Sequence, residues 1–208
     1  MMREKRWFPI LYMFLATAFF SSVVIGFTNV TRRRVEANAA LAFEKAVVAV
    51  FPQLHEPGLS ALEVHRRFTE QVTEPNPTSA GAYTFQENGQ VAGYALPVAG
   101  QGFWAPIKGI IGIAADRKTV TGIAIYEQNE TPGLGGEIAQ PPFQQQFKGK
   151  TLASGDKLLA FRRPGEDLSQ NEVHAVTGAT QTSVRFEGII NEALKTWQVK
   201  LGKEGATQ

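Results

Sequence analysis

The sequence predicts one α+β domain, a small twisted antiparallel sheet with flanking helices, preceded by one transmembrane helix. Three observations carry this reading. Trp7–Val30 is an uncharged run of 24 residues. Four segments rich in β-branched and aromatic residues follow between positions 82 and 127, parted by turn sequences. Ser183–Leu201 then closes the chain with apolar residues at helical spacing.

The elements follow in order. At about 1.5 Å of rise per residue, the Trp7–Val30 run spans a hydrocarbon layer of ~30 Å. No convincing small-residue cleavage site precedes Arg32, so a retained anchor is expected rather than a cleaved leader. Trp7 stands where an interfacial aromatic would. Arg3, Lys5 and Arg6 on one flank tie with Arg32, Arg33 and Arg34 on the other, so charge gives no orientation. Residues 1–6 are expected as the N-terminus, 7–30 as the membrane helix, 31–80 as a helical connector, 81–203 as the domain and 204–208 as a tail. Within the connector, residues 32–51 hold neither Gly nor Pro and read as a helix stopped near Pro52. Residues 59–72 read as one or two further amphipathic turns.

Strands are expected at Ala82–Gln86, Gln90–Val98, Ile107–Ala115 and Val120–Glu127, with hairpin turns at ENG and DRK. Gly93, Gly109, Gly112 and Gly122 fall inside them, which implies bulges, close backbone approach to something bound, or a strongly bent sheet. A short helix is expected around Phe143–Phe147 and a strand around Lys157–Phe161. In the last helix Phe186, Ile190, Leu194, Trp197 and Leu201 share one face and read as core.

Composition excludes several functions. The chain of 208 residues has a formal charge of +2, and residues 1–31 hold three cations and one anion. The remainder is therefore neutral, and no basic excess suits it to nucleic acid. Cysteine is absent, so this chain itself holds no disulfide, iron–sulfur cluster or thiol nucleophile. His55, His65 and His174 are scattered without metal-ligand spacing. Redox chemistry here requires an organic cofactor.

Two segments carry chemistry. Thr177-Gly178-Ala179-Thr180-Gln181-Thr182-Ser183 precedes the last helix, and its small residues and hydroxyls suit either a phosphate seat or an ordinary N-cap by Thr182 or Ser183. Glu130-Thr131-Pro132-Gly133-Leu134-Gly135-Gly136-Glu137 is a Gly-shaped loop with a carboxylate at each end. It has neither the Lys-Ser/Thr ending of a phosphate loop nor the context of a dinucleotide fingerprint.

Together these segments resemble the covalent-FMN domain of the RnfG and NqrC subunits of membrane electron-transfer complexes. The likeness extends to Gly100-Gln101-Gly102-Phe103-Trp104 and to FQQQFKGK at Phe143–Lys150, and it covers most of residues 80–200 plus the single anchor. It implies FMN joined through its phosphate to the hydroxyl of Thr180, with Thr182 as the alternative acceptor, installed by a separate flavin transferase. It also implies cofactor contacts from Trp104, Glu130, Thr131, Gly133, Leu134, Gly135, Thr177, Gly178, Ala179 and Thr182. Residue type alone leaves Trp104 as core or apolar wall, and Glu130 as a solvated loop residue or a polar contact. No catalytic residue is implied. The resemblance makes the chain a non-autonomous electron-transfer subunit whose partners are other membrane subunits, the transferase and membrane lipid. It places residues 1–6 in the cytoplasm and the domain on the periplasmic side of the inner membrane. One departure stands out: the family has an Asp three residues before the first hydroxyl of the motif, and His174 occupies that position here. A flavin-free, membrane-tethered binding or scaffold domain of the same fold is the alternative.

Overall fold

The structure is a computed structural model that describes residues 7–205. The expected N-terminus, 1–6, lies outside the described residues, as do positions 206–208 of the expected tail. The chain divides into two compact units, Met1–Ala40 and Leu41–Gln208. Helix α1 (Phe8–Ala49) fills the described part of the first unit, and by length and composition it is apolar enough to cross a membrane. Its last turns, from Leu41, belong to the second unit.

In that second unit α2 (Ala61–Gln71) begins where Ser60 accepts a hydrogen bond from the N–H of Glu63. Five strands then form an antiparallel meander: β1 (Val72–Thr73), β2 (Tyr83–Glu87), β3 (Gln90–Gln101), β4 (Pro106–Ala114) and β5 (Val120–Glu127). The β2–β3 turn places Asn88 and Gly89 at φ 52° and 76°, as a tight hairpin of this twist requires. At the β4–β5 turn Asp116 accepts from the N–H groups of Lys118 and Thr119 and, at 2.6 Å, from the Thr119 hydroxyl.

Both faces of the sheet are buried. On one face Tyr94, Leu96, Val98, Ile107, Ile111 and Ile113 pack with Phe186, Ile190, Leu194 and Trp197. On the other, Ala95 and Ile110 pack with Val47, Val50, Phe51 and Val64. Two-sided burial explains the nearly unbroken apolar reading of β4. The β4–β5 register shifts between Lys108 and Gly109 and between Gly112 and Ile113, as bulges there require, and strand glycines also make room for the chain. A Cβ on Gly93 would lie 2.9 Å from the Phe51 ring, and one on Gly112 would lie 2.7 Å from Val50. The close approach is by the chain itself, where the residues after α1 cross the sheet, and Thr121 donates to the Val50 carbonyl at 2.6 Å.

Helix α3 (Pro141–Gln144) and a 3-10 turn (Gln145–Phe147) follow, in the place expected for a short helix. Two short strands unseen in the sequence, β1 and β7 (Glu172–His174), are present, and β7 pairs in parallel with β6 (Ala160–Arg162). The strand expected at Lys157–Phe161 therefore starts later. The cause is a tertiary contact: the N–H groups of Leu158 and Leu159 both donate to Asn191 of the last helix rather than to a strand. That helix, α4 (Thr180–Gly205), begins three residues before the expected Ser183. The α+β class, the antiparallel sheet with flanking helices and the long apolar leading helix all match the sequence reading.

Candidate functional site

Three segments converge at one end of the second unit: the β3–β4 turn, the loop after β5 and the start of α4. The β3–β4 turn is closed by the N–H of Gly102 donating to the Ala105 carbonyl at 2.9 Å, which places Phe103 and Trp104 at its tip. Beyond β5, the Gln128 side chain accepts from the N–H of Glu130. Gly178, at φ 75°, then lets the chain turn into α4, where the N–H of Ser183 donates to the Ala179 carbonyl.

Glu130 ties the three together. It is only 5% exposed, so it is no solvated loop residue. One carboxylate oxygen accepts from the N–H of Trp104 at 3.0 Å, and the other accepts the Thr182 hydroxyl proton at 2.7 Å. Two glycines make room for it. A Cβ on Gly102 would lie 2.6 Å from the first oxygen, and one on Gly135 would meet the Thr182 hydroxyl and lie 3.0 Å from the second.

Around this buried pin is an open groove of about 330 Å³, lined by Phe103, Trp104, Glu130, Thr131, Leu134, Gly135, Gly178, Ala179, Thr180, Gln181 and Thr182. Trp104 is 65% exposed and therefore not core, and its indole N–H donates to the Thr131 hydroxyl at 3.2 Å. Phe103 stands edge-on to it, and Leu134 is also exposed. The first turn of α4 offers N–H groups without intrahelical acceptors and a partial positive charge.

Neither expected capping residue caps. Thr182 and Ser183 lie inside the first turn of α4; Thr182 is bound to Glu130, and the Ser183 hydroxyl accepts from the N–H of Val176 at 3.1 Å, steadying the preceding loop. Thr180 differs from both: it is exposed at the first position of the helix, and its hydroxyl makes no hydrogen bond among the described residues.

Of the residues singled out from the sequence, the structure gathers Trp104, Glu130, Thr131, Leu134, Gly135, Gly178, Ala179, Thr180 and Thr182 at the groove. Gly133 and Thr177 are exposed nearby but do not line it. Phe103 and Gln181 line it although sequence reasoning did not select them, and Gly102 is needed to seat Glu130. The Gly-x-Gly-aromatic pattern was the available signal for Phe103 and Gly102. His174 lies in β7, where its ring nitrogen is 2.9 Å from the Glu166 carbonyl oxygen and its N–H donates to Gln146; it does not line the groove.

Residues 102–195 match the FMN-binding domain family. The resemblance read from the two motifs is thus found independently, and the matched segment contains every residue lining the groove. Among curated relatives, the C subunit of the Na(+)-translocating NADH-quinone reductase of Neisseria meningitidis is 42% identical over 105 residues, 49% of this chain and 40% of that protein. Its counterpart in Vibrio alginolyticus is 32% identical over 127 residues, 61% of this chain and 48% of that protein. The chain therefore spans less than half the length of these relatives. Among solved structures, the counterpart from Parabacteroides distasonis superposes with a TM-score of 0.66 at 24% identity, over 82% of this chain and 94% of that one. NqrC of Shewanella oneidensis gives 0.63 at 19% identity, over 81% and 99%. At those identities the likeness speaks for the fold.

Proposed function

We propose that the domain carries FMN covalently, as a phosphoester on the Thr180 hydroxyl, and serves as a membrane-anchored electron-transfer subunit. The observation that supports this attachment site best is the contrast between two threonines in the first turn of one helix. Thr180 is exposed at the head of α4 with no side-chain hydrogen bond among the described residues, whereas Thr182 is buried and its hydroxyl donates a hydrogen bond to Glu130.

The residues present fit the group. The groove volume lies within the range of ordinary cofactor sites. The helix-opening N–H groups and the turn at Thr177, Gly178 and Ala179 suit a phosphate. Trp104 and Leu134 would form the apolar wall, with Thr131 and the backbone of Gly133–Gly135 as polar contacts. Glu130 acts from beneath, holding the Trp104 backbone and the first turn of α4 in register. Bound flavin supplies one- and two-electron redox chemistry. The tether keeps it at high local concentration near its partners between turnovers.

The named relatives support a place in an Nqr-like complex with other subunits. The Rnf-like alternative, the donor and acceptor roles of other membrane subunits and a flavin transferase for maturation rest on the motif resemblance. The apolar part of α1 supports a single-pass anchor in lipid; the inner membrane and the periplasmic side rest on the family resemblance.

Full-length protein coexpressed with a flavin transferase tests the attachment on a denaturing gel. Flavin fluorescence is expected on the wild type and on Thr182→Val, and is expected to vanish in Thr180→Ala. Fluorescence retained in Thr180→Ala but lost in Thr182→Val would move the bond. A wild type without flavin would favour the scaffold alternative.

A further inference from the structure

Arg185 is exposed on α4, one turn beyond Gln181, and its guanidinium carbon stands 6.0 Å from the centroid of the Phe103 ring. Phe103 in turn meets Trp104 edge-on, with centroids 4.7 Å apart, and both rings line the groove. Residues four apart on a helix share a face, so Arg185 and the groove-lining Gln181 point the same way. An aromatic face orients a guanidinium while leaving its N–H donors and full charge available. Arg185 makes no ion pair among the described residues. Glu130, the one carboxylate lining the groove, is buried and turned to Trp104 and Thr182. A positive charge therefore stands at the aromatic rim with no counter-charge opposite it.

Resting on the FMN reading above, we infer that Arg185 sets the reduction potential of the cofactor in this groove. Flavin bound here would carry one more negative charge when reduced than when oxidised. A cation held near the Phe103 ring at the rim of the groove would stabilise the more negative state over the neutral one and raise the potential. Because the guanidinium is exposed, salt weakens the effect. Arg185 is a tuning residue: it forms no bond to substrate, and its removal leaves the attachment hydroxyl intact.

The test uses detergent-solubilised full chain matured with a flavin transferase, titrated with dithionite against reference dyes, with covalent loading read separately by in-gel fluorescence. Arg185→Gln is expected to load like wild type and to shift to lower potential. At fixed ambient potential its reduced-to-oxidised ratio should fall about threefold to tenfold at low salt, and less at high salt. Arg185→Lys keeps the charge and is expected to retain most of the wild-type potential. Equal potentials in fully loaded wild type and Arg185→Gln overturn the inference and leave the FMN reading standing. Failure of Arg185→Gln alone to load also overturns it, by assigning the residue to maturation. A Lys variant as low as the Gln variant removes charge as the cause. Wild type without covalent flavin sinks both readings together.

Discussion

Glu130 is a carboxylate buried without a cation partner among the described residues, held by one hydroxyl and one backbone N–H. Such a group is tolerated only where its hydrogen bonds are made and its neighbours leave it space. The space comes from the missing side chains of Gly102 and Gly135, which makes these positions more demanding than surface turn glycines. Gly135→Ala drives a methyl into the Thr182 hydroxyl and the Glu130 carboxylate. It should destabilise the domain by about 1–3 kcal/mol, the usual scale of overpacking. Urea unfolding of the variant would show this as a lowered midpoint at unchanged slope; an unaltered midpoint would mean that the pin relaxes freely. Both members of the pair were readable as candidates, since a Glu and a Thr stood in two unusual motifs. Their contact was not, because 52 residues separate them and no local pattern encodes a pairing at that range.

Among the elements, length and periodicity decided what could be read. The strands β2 to β5 declared themselves by β-branched runs around tight turns, and α4 by its apolar face. Strands β1 and β7 have two and three residues, too few to show a period. They exist because tertiary partners hold them. For β6 and β7 the clamp is Arg162, whose Nε is 2.7 Å from a Glu172 carboxylate oxygen, while the other oxygen accepts from the N–H of Ser169. The Arg162 guanidinium, then the Ser169 N–H, holds the Glu172 carboxyl below the usual carboxylate range. A lowered folded-state value means that this stabilisation is present above the unfolded carboxylate's pKa. It is lost as pH falls through the folded value. Glu172→Gln should therefore be less stable than wild type near neutrality, with the gap closing between about pH 5 and pH 2. Thermal melts across that interval would check it, and a gap independent of pH would exclude the charge as its source. Part of the acid sensitivity should persist, because the Thr119 hydroxyl lowers the Asp116 carboxyl in the same direction.

At the scale of the whole molecule the open question is which side of the membrane the second unit occupies. The flanking cations tie at three each, so the physical bias that orients most single-pass anchors is silent here. The composition that withheld an answer also supplies a clean probe: a chain with no cysteine gives one introduced thiol no competitor. Ser154 is exposed in the loop before β6, and Ser154→Cys replaces a hydroxyl with a thiol of nearly the same shape. It lies far in sequence from the groove segments and makes no side-chain hydrogen bond among the described residues. With the domain on the periplasmic side, a membrane-impermeant maleimide should label this variant in cells whose inner membrane is intact. The extent should match that in detergent. Labelling that appears only after the inner membrane is breached would put the domain, and the groove with it, on the cytoplasmic side. Under the proposed function, electron partners would then have to be sought there.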